Sequence, residues 1–168
     1  IYMALSLNIR EAQLADWDRI WPFFSDIVRA GDSYSYSPDM SKEEGFQQWM
    51  VMPQFTYVAE QSGEVVATYY IKPNQASLGA HVSNCGYMVS PSYRGGGIAS
   101  QLCVHSQSIA IKLGYKAMQF NLVVASNSAA VHLWNKLGFE TVGRLLKAFD
   151  HQKLGFVDAL VMYKWLQD

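Results

Sequence analysis

One stretch of this sequence narrows the possible folds more than any other: Val89-Ser90-Pro91-Ser92-Tyr93-Arg94-Gly95-Gly96-Gly97-Ile98-Ala99. A β-rich run ends at Val89, and Pro91, which has no backbone N–H, breaks it. Three glycines follow, and a helix begins at Ile98. Residues without a Cβ let the backbone turn sharply and come close to a ligand. The first N–H groups of the helix lack intrahelical partners and carry the positive end of its dipole. A strand, a glycine turn and a helix N-terminus together make an anion site suited to phosphate. Neither the dinucleotide fingerprint nor the Walker A pattern fits, because the glycine spacing differs and no Gly-Lys-Ser/Thr follows. Taken alone, the stretch also reads as a plain flexible turn.

The flanking pattern is mixed. Leu5 to Arg10 alternates apolar and polar residues, as a half-buried strand does. Asp16 or Asp18 can cap a helix running to Ala30, with Pro22 tolerated only near its start. Gly31 to Pro38 is a loop carrying Tyr34 and Tyr36, and Ser41 with Glu44 has the spacing of a capping box. Phe55–Glu60 and Val65–Ile71 form a hairpin around the turn 61–64. A loop from Pro73 to Gly79 leads to a strand over His81–Val89. The glycine stretch, a helix over Ile98–Leu113 and a strand over Lys116–Val124 come next. Asn127 caps a helix that ends at Gly138, and two closing strands span Phe139–Leu145 and Phe156–Trp165. The expected fold is α/β in the α+β sense: one domain over residues 1–168 with a mixed, mostly antiparallel sheet and helices on both faces. Ile1 and Tyr2 precede Met3 and read as added residues.

Bulk properties exclude several classes. Half of the 168 residues are apolar, only 16% are charged, and the formal net charge is −1. No basic excess is available to hold nucleic acid or an anionic membrane, and no membrane partner is expected. Cys85 and Cys103 form no CxxC pair, and His81, His105, His132 and His151 lack metal spacing, so no metal is expected. The two thiols could form one disulfide, but a chain this long with its own core does not need one, and a reducing, cytoplasmic setting is expected. Phe149, Phe156 and Trp165 suit either a core or the surface of a homodimer.

A second block completes the pattern. Asn127-Ser128-Ala129-Ala130-Val131-His132-Leu133-Trp134-Asn135-Lys136-Leu137-Gly138-Phe139 is an Asn followed by a helix that ends in Gly-Phe. With Arg94, Gly97 and Ala99 at the places of the motif (Q/R)xxGx(G/A), in matching order and spacing, the chain resembles the GNAT acetyltransferase superfamily. The resemblance covers nearly the whole chain. It implies an N-acetyltransferase with acetyl-CoA as co-substrate. Backbone N–H groups of Arg94, Gly95, Gly96, Gly97, Ile98, Ala99 and Ser100 would hold the pyrophosphate. The pantetheine arm would lie along Tyr87, Met88 and Val89, and Asn127 would lie beside it.

The chemistry requires a neutral amine, stabilisation of the thioester oxygen, and a proton for the departing thiolate. Many GNAT enzymes supply that proton from a tyrosine, but Trp134 stands at its place, and an indole only donates hydrogen bonds. Asn84 and Asn121 lie on the two strands expected to flank the acetyl group. Asn is depleted in strands, and a buried amide needs partners. These two amides would either serve catalysis or bridge the sheet where it splays. Stretches around Gly31–Tyr34, Pro73–Val89 and Gly143–Tyr163 are similar to acetyltransferases that act on proline analogues and amino acids. That similarity implies a small amine as acceptor, with Tyr34 and Tyr36 lining its pocket. A protein N-terminus or lysine is the alternative acceptor, and a non-catalytic acyl-CoA sensor is the alternative class.

Overall fold

The computed structural model describes residues 6–167. Ile1, Tyr2, Met3 and Leu5, on which two of the expectations above fall, lie outside the described residues. The element order is β1 (Asn8–Glu11), α1 (Trp17–Ala30), α2 (Lys42–Phe46), β2 (Phe55–Gln61), β3 (Glu64–Pro73), β4 (Val82–Val89), α3 (Ile98–Lys112), β5 (Ala117–Val124), α4 (Ser128–Lys136), β6 (Glu140–His151) and β7 (Gly155–Trp165). The seven strands form one sheet in the order β1-β2-β3-β4-β5-β7-β6. Every neighbouring pair is antiparallel except β4 with β5. Among the described residues, no helix is long and apolar enough to cross a membrane.

Local chemistry accounts for most boundaries. Ser62 and Gly63 both take positive φ, the backbone that a two-residue hairpin turn needs to match strand twist. The Ser41 hydroxyl accepts from Glu44 N, and the Glu44 carboxylate accepts from Ser41 N, closing the expected capping box. Asn127 Oδ1 accepts from Ala130 N and caps α4. Three expectations change. Pro22 sits well inside α1, beyond the first turn, and Asp16 does not cap the helix with its side chain. The Asp16 carboxylate instead takes two hydrogen bonds from the Arg10 guanidinium, at 2.8 and 2.9 Å, and one from Gln13 N. The penultimate strand also runs on to His151, past the expected end at Leu145. Breaks in register between Thr141 and Gly143 and between Leu145 and Phe149, with positive φ at Lys147, hide this length from a period-two reading.

Two apolar layers sandwich the sheet. One face packs Tyr69, Ile71, Cys85, Met118, Phe120 and Met162 against Leu102, Cys103 and Trp134 of α3 and α4. The other face packs Val58, Val65 and Met88 against Ile20, Phe24, Ile27 and Trp49 from the α1–α2 region. Phe149 is buried, whereas Phe156 and Trp165 are exposed.

Candidate active site

The parallel pairing of β4 with β5 lasts for only two positions, Val82 with Ala117 and Ser83 with Met118. Beyond them the strands part. At the fork, Asn84 Nδ2 donates to the Gln119 carbonyl at 2.9 Å, replacing a ladder bond that the diverging backbone can no longer make. Asn84 Oδ1 accepts from the Tyr70 hydroxyl at 3.1 Å. The buried amide is thus paired at both ends, as its burial demands.

The alternation of an antiparallel ladder shows what lines the opening. Asn74 N donates to Val82 O and Ser90 N donates to Val66 O. Val82, Asn84, Gly86, Met88 and Ser90 therefore turn their peptide groups towards β3. Cys85, Tyr87 and Val89 turn theirs towards the gap that β5 has vacated. Met88, expected among the residues facing the pantetheine arm, is committed to β3 opposite Thr68, and its side chain is buried in the α1-side core. One gap-facing acceptor has a partner: Tyr34 Oη donates to the Tyr87 carbonyl at 2.5 Å.

On the α1 side of the gap lies an aromatic wall. Tyr34 and Tyr36 stack with rings 3° from parallel, and Trp49 stands edge-on to both Tyr34 and Tyr70. The Tyr70 ring lies over Gly86, where an added Cβ would come within 2.5 Å of it. Burial pushes the Tyr34 phenol well above its usual range and raises Tyr36 to about 12, so both stay protonated donors. Asn121, expected in a buried position, is exposed on this same face. There Gln119 Nε2 donates to Asn121 Oδ1, and Asn121 Nδ2 donates to Asn74 Oδ1 at 2.7 Å. A break in register after Phe120 lifts this part of β5 out of the ladder, which is why its amide reaches the surface.

On the opposite side, the Tyr87 phenol is turned away from the aromatic wall and shares a 2.7 Å hydrogen bond with Ser106 of α3. Trp134 packs on Tyr87 and Phe120, with ring centroids 5.2 and 5.0 Å away. The indole therefore fills the space between α4 and the sheet as a packing group. Burial pushes the Cys85 thiol far up, which leaves it a poor nucleophile. Among the described residues, no three His, Cys, Asp or Glu side chains gather as metal ligands.

The mouth of the gap is the glycine turn. Gly95 and Gly97 adopt φ of +82° and +78°, and Gly97 is the residue immediately before α3. An added Cβ on either would meet no protein atom within 4 Å, so backbone conformation, not crowding, selects glycine there. Ser92, Arg94, Gly96, Ile98 and Gln101 line a cleft of about 310 Å³ beside this turn. An anionic ligand fits the chemistry of this end: bare backbone, free helix N–H groups and the Arg94 guanidinium.

The structure thus brings Tyr34, Tyr36, Asn84 and Asn121 to one face of a split sheet, with Tyr87 and Val89 along its edge and the residues from Arg94 to Ser100 at its end. Sequence reasoning missed Tyr70, Gln119 and Asn74. Only strand register places them beside the two asparagines, and register left no local signal.

The model of the acetyltransferase (GNAT) family matches residues 17–139. The chain belongs to this family. A structure of a GCN5-related N-acetyltransferase from Kribbella flavida is similar over 95% of this chain and 97% of its own, with 39% identity and a TM-score of 0.89. The N-acetyltransferase aca1 of Schizosaccharomyces pombe is 36% identical over 100 residues, which is 58% of this chain; the match spans about half, 47%, of that relative. A GNAT superfamily phosphinothricin acetyltransferase from Sinorhizobium meliloti, solved in complex with AcCoA, shares the fold at TM-score 0.82 and 21% identity, covering 96% of this chain and 89% of its own.

Proposed function

We propose that this GNAT acetyltransferase binds acetyl-CoA in the β4–β5 gap and transfers the acetyl group to the amine of a small molecule of amino-acid type. The observation that carries this reading is the split itself: the edge peptide groups at Tyr87 and Val89 have no strand opposite, and one lone pair of the Tyr87 carbonyl is taken by Tyr34 Oη. An extended ligand bearing amide groups can replace a missing strand there, because main-chain hydrogen bonds are what the edge offers. The phosphates of such a ligand would meet the N–H groups from Arg94, Gly95, Gly96 and Gly97 through Ile98, Ala99 and Ser100. Asn127 lies beyond the C-terminal end of β5 and would flank the pantetheine. The acetyl-CoA complex of the phosphinothricin acetyltransferase with this fold supports the assignment.

The acceptor would enter from the Tyr34–Tyr36 face. Its nitrogen attacks the acetyl carbon, the C–S bond breaks, and the nitrogen's proton reaches the departing sulfur through water. The Val89 N–H, turned into the gap, donates to the thioester oxygen as it gains charge. Asn84 bridges the strands at the fork through the Gln119 carbonyl, and Asn121 offers an exposed amide to the acceptor. No acid is drawn from Trp134, since an indole cannot release a proton at working pH. The aromatic wall, closed over the face by the loop from Gly31 to Pro38, favours a small acceptor over a peptide.

A thiol-release assay with acetyl-CoA against amino acids, cyclic imino acids, polyamines and short peptides tests this reading. Turnover with one small amine and none with peptides is expected. Turnover with peptides alone would move the acceptor class to proteins. Acetyl-CoA binding without turnover on any amine would favour a sensor.

A further inference from the structure

The loop that carries Tyr34 is held at two ends. Gly31, in the left-handed conformation at φ +60°, ends α1, and Gln152 N from the β6–β7 turn donates to Gly31 O at 3.1 Å. An added Cβ on Gly31 would sit 2.0 Å from Gln152 Cγ, so the two elements are in close contact. The other tether is the Tyr34 hydroxyl on the Tyr87 carbonyl. This places a phenol from the α1-side loop at the edge of the gap, one residue pair from the Val89 N–H.

Hydrogen-bond bookkeeping gives that oxygen a defined role. A phenol has one proton, and Tyr34 commits it to Tyr87 O. Its lone pairs can then only accept. The ring is fixed by the stacked Tyr36 and edge-on Trp49, so the oxygen has little freedom to turn. The group that must arrive at this spot during transfer is an amine whose lone pair attacks and whose N–H must find an acceptor. We infer that Tyr34 is the residue that positions the attacking amine: the amine N–H donates to Tyr34 Oη while the Tyr34 hydroxyl keeps donating to the Tyr87 carbonyl.

This inference rests on the acetyl-transfer reading. It assigns to Tyr34 a direct contact with the nitrogen, beyond lining a pocket. The attack step itself requires the neutral amine. A neutral amine keeps its lone pair for attack while its N–H is held; an ammonium has no free lone pair. As the nitrogen bonds to the acetyl carbon it gains positive charge, and the Tyr34 oxygen, an acceptor, keeps holding its N–H until that proton leaves through water.

The test compares wild type with Tyr34→Phe, which keeps the ring and removes only the oxygen. Tyr115→Phe serves as a control for loss of a tyrosine hydroxyl remote from the gap; its phenol bonds Gln54. Acetyl-CoA affinity is read by thermal shift, and kcat and KM are read for the best amine found with wild type. The expected result for Tyr34→Phe is a fall of about tenfold in kcat/KM for the amine, the size of one lost neutral hydrogen bond. Acetyl-CoA affinity should stay within twofold, and Tyr115→Phe should match wild type. Unchanged amine kinetics in Tyr34→Phe would overturn the inference while leaving the acetyl-transfer reading intact. Tighter acetyl-CoA binding in Tyr34→Phe would also overturn it, since the phenol would then be a plug that the donor displaces. A wild type that binds acetyl-CoA but turns over no amine would instead remove the reading on which the inference rests.

Discussion

Two neighbouring glycines make the same substitution with opposite expected signs. Gly97 precedes α3 at φ +78°, whereas Gly96 lies outside the left-handed region, and the nearest atom to an added Cβ there is Tyr93 O at 3.6 Å. A Cβ in the left-handed conformation costs about 1–2 kcal/mol through its clash with the following carbonyl. For a domain of this size, each kcal/mol moves Tm by about 2–4 °C. Gly97→Ala should therefore melt about 2–8 °C lower than wild type. Gly96→Ala meets no strain and restricts the unfolded chain, which stabilises by about 0.4–1 kcal/mol; its Tm should rise by about 1–4 °C. A donor present at 100 times Kd adds about 2.7 kcal/mol to the stability of a competent site. Scanning calorimetry with and without acetyl-CoA would show that gain in wild type and Gly96→Ala. In Gly97→Ala the loop must either hold its strained backbone or relax, and relaxation turns the helix N–H groups off the ligand, so the gain should shrink. Equal Tm values for the two variants, or an undiminished acetyl-CoA gain in a destabilised Gly97→Ala, would refute the claim that backbone conformation at Gly97 sets the anion site.

Three further outcomes follow from the site. Asn84→Ala leaves the Tyr70 hydroxyl and the Gln119 carbonyl without their partner and should cost about 1–3 kcal/mol, whereas exposed Asn121→Ala should leave Tm unchanged while raising KM for the amine; a large Tm loss in Asn121→Ala would contradict this division of roles. Trp134→Tyr should destabilise by about 1–2 kcal/mol through lost packing on Tyr87 and Phe120, with no gain in kcat, and a severalfold rise in kcat would show that the position still offers an acid's place. The Arg10 guanidinium holds the Asp16 carboxyl below its usual range, so its contribution is full above the unfolded carboxylate pKa and is lost as pH falls through the lower folded value. Wild type and Asp16→Asn should therefore differ in Tm at neutral pH and converge in strong acid, and a constant difference down to low pH would rule this out.

What could be read locally was largely right. The capping box at Ser41, the N-cap at Asn127 and the glycine turn before α3 involve residues within a few positions of one another, so their spacing carries the information. Strand ends that depend on partners could not be read the same way. The end of β6 at His151 and the deep placement of Pro22 in α1 both rest on packing against distant segments, which override local propensity.

The candidate site divides along the same line. The sequence by itself determined the glycine turn before α3, the family and the presence of polar amides on two strands, because each is a matter of residue type and spacing. Tertiary structure alone decided what those amides do. Asn84 is buried at the fork, paired with Tyr70 and Gln119, while Asn121 is lifted to the surface by a break in register. It alone brought Tyr34 across 53 positions of sequence to the carbonyl of Tyr87. The physical reason is that a ladder turns every second peptide group to each side, so which carbonyl faces a gap depends on the partner strand's register and on where that partner departs. Neither quantity is written in the residues that flank the site.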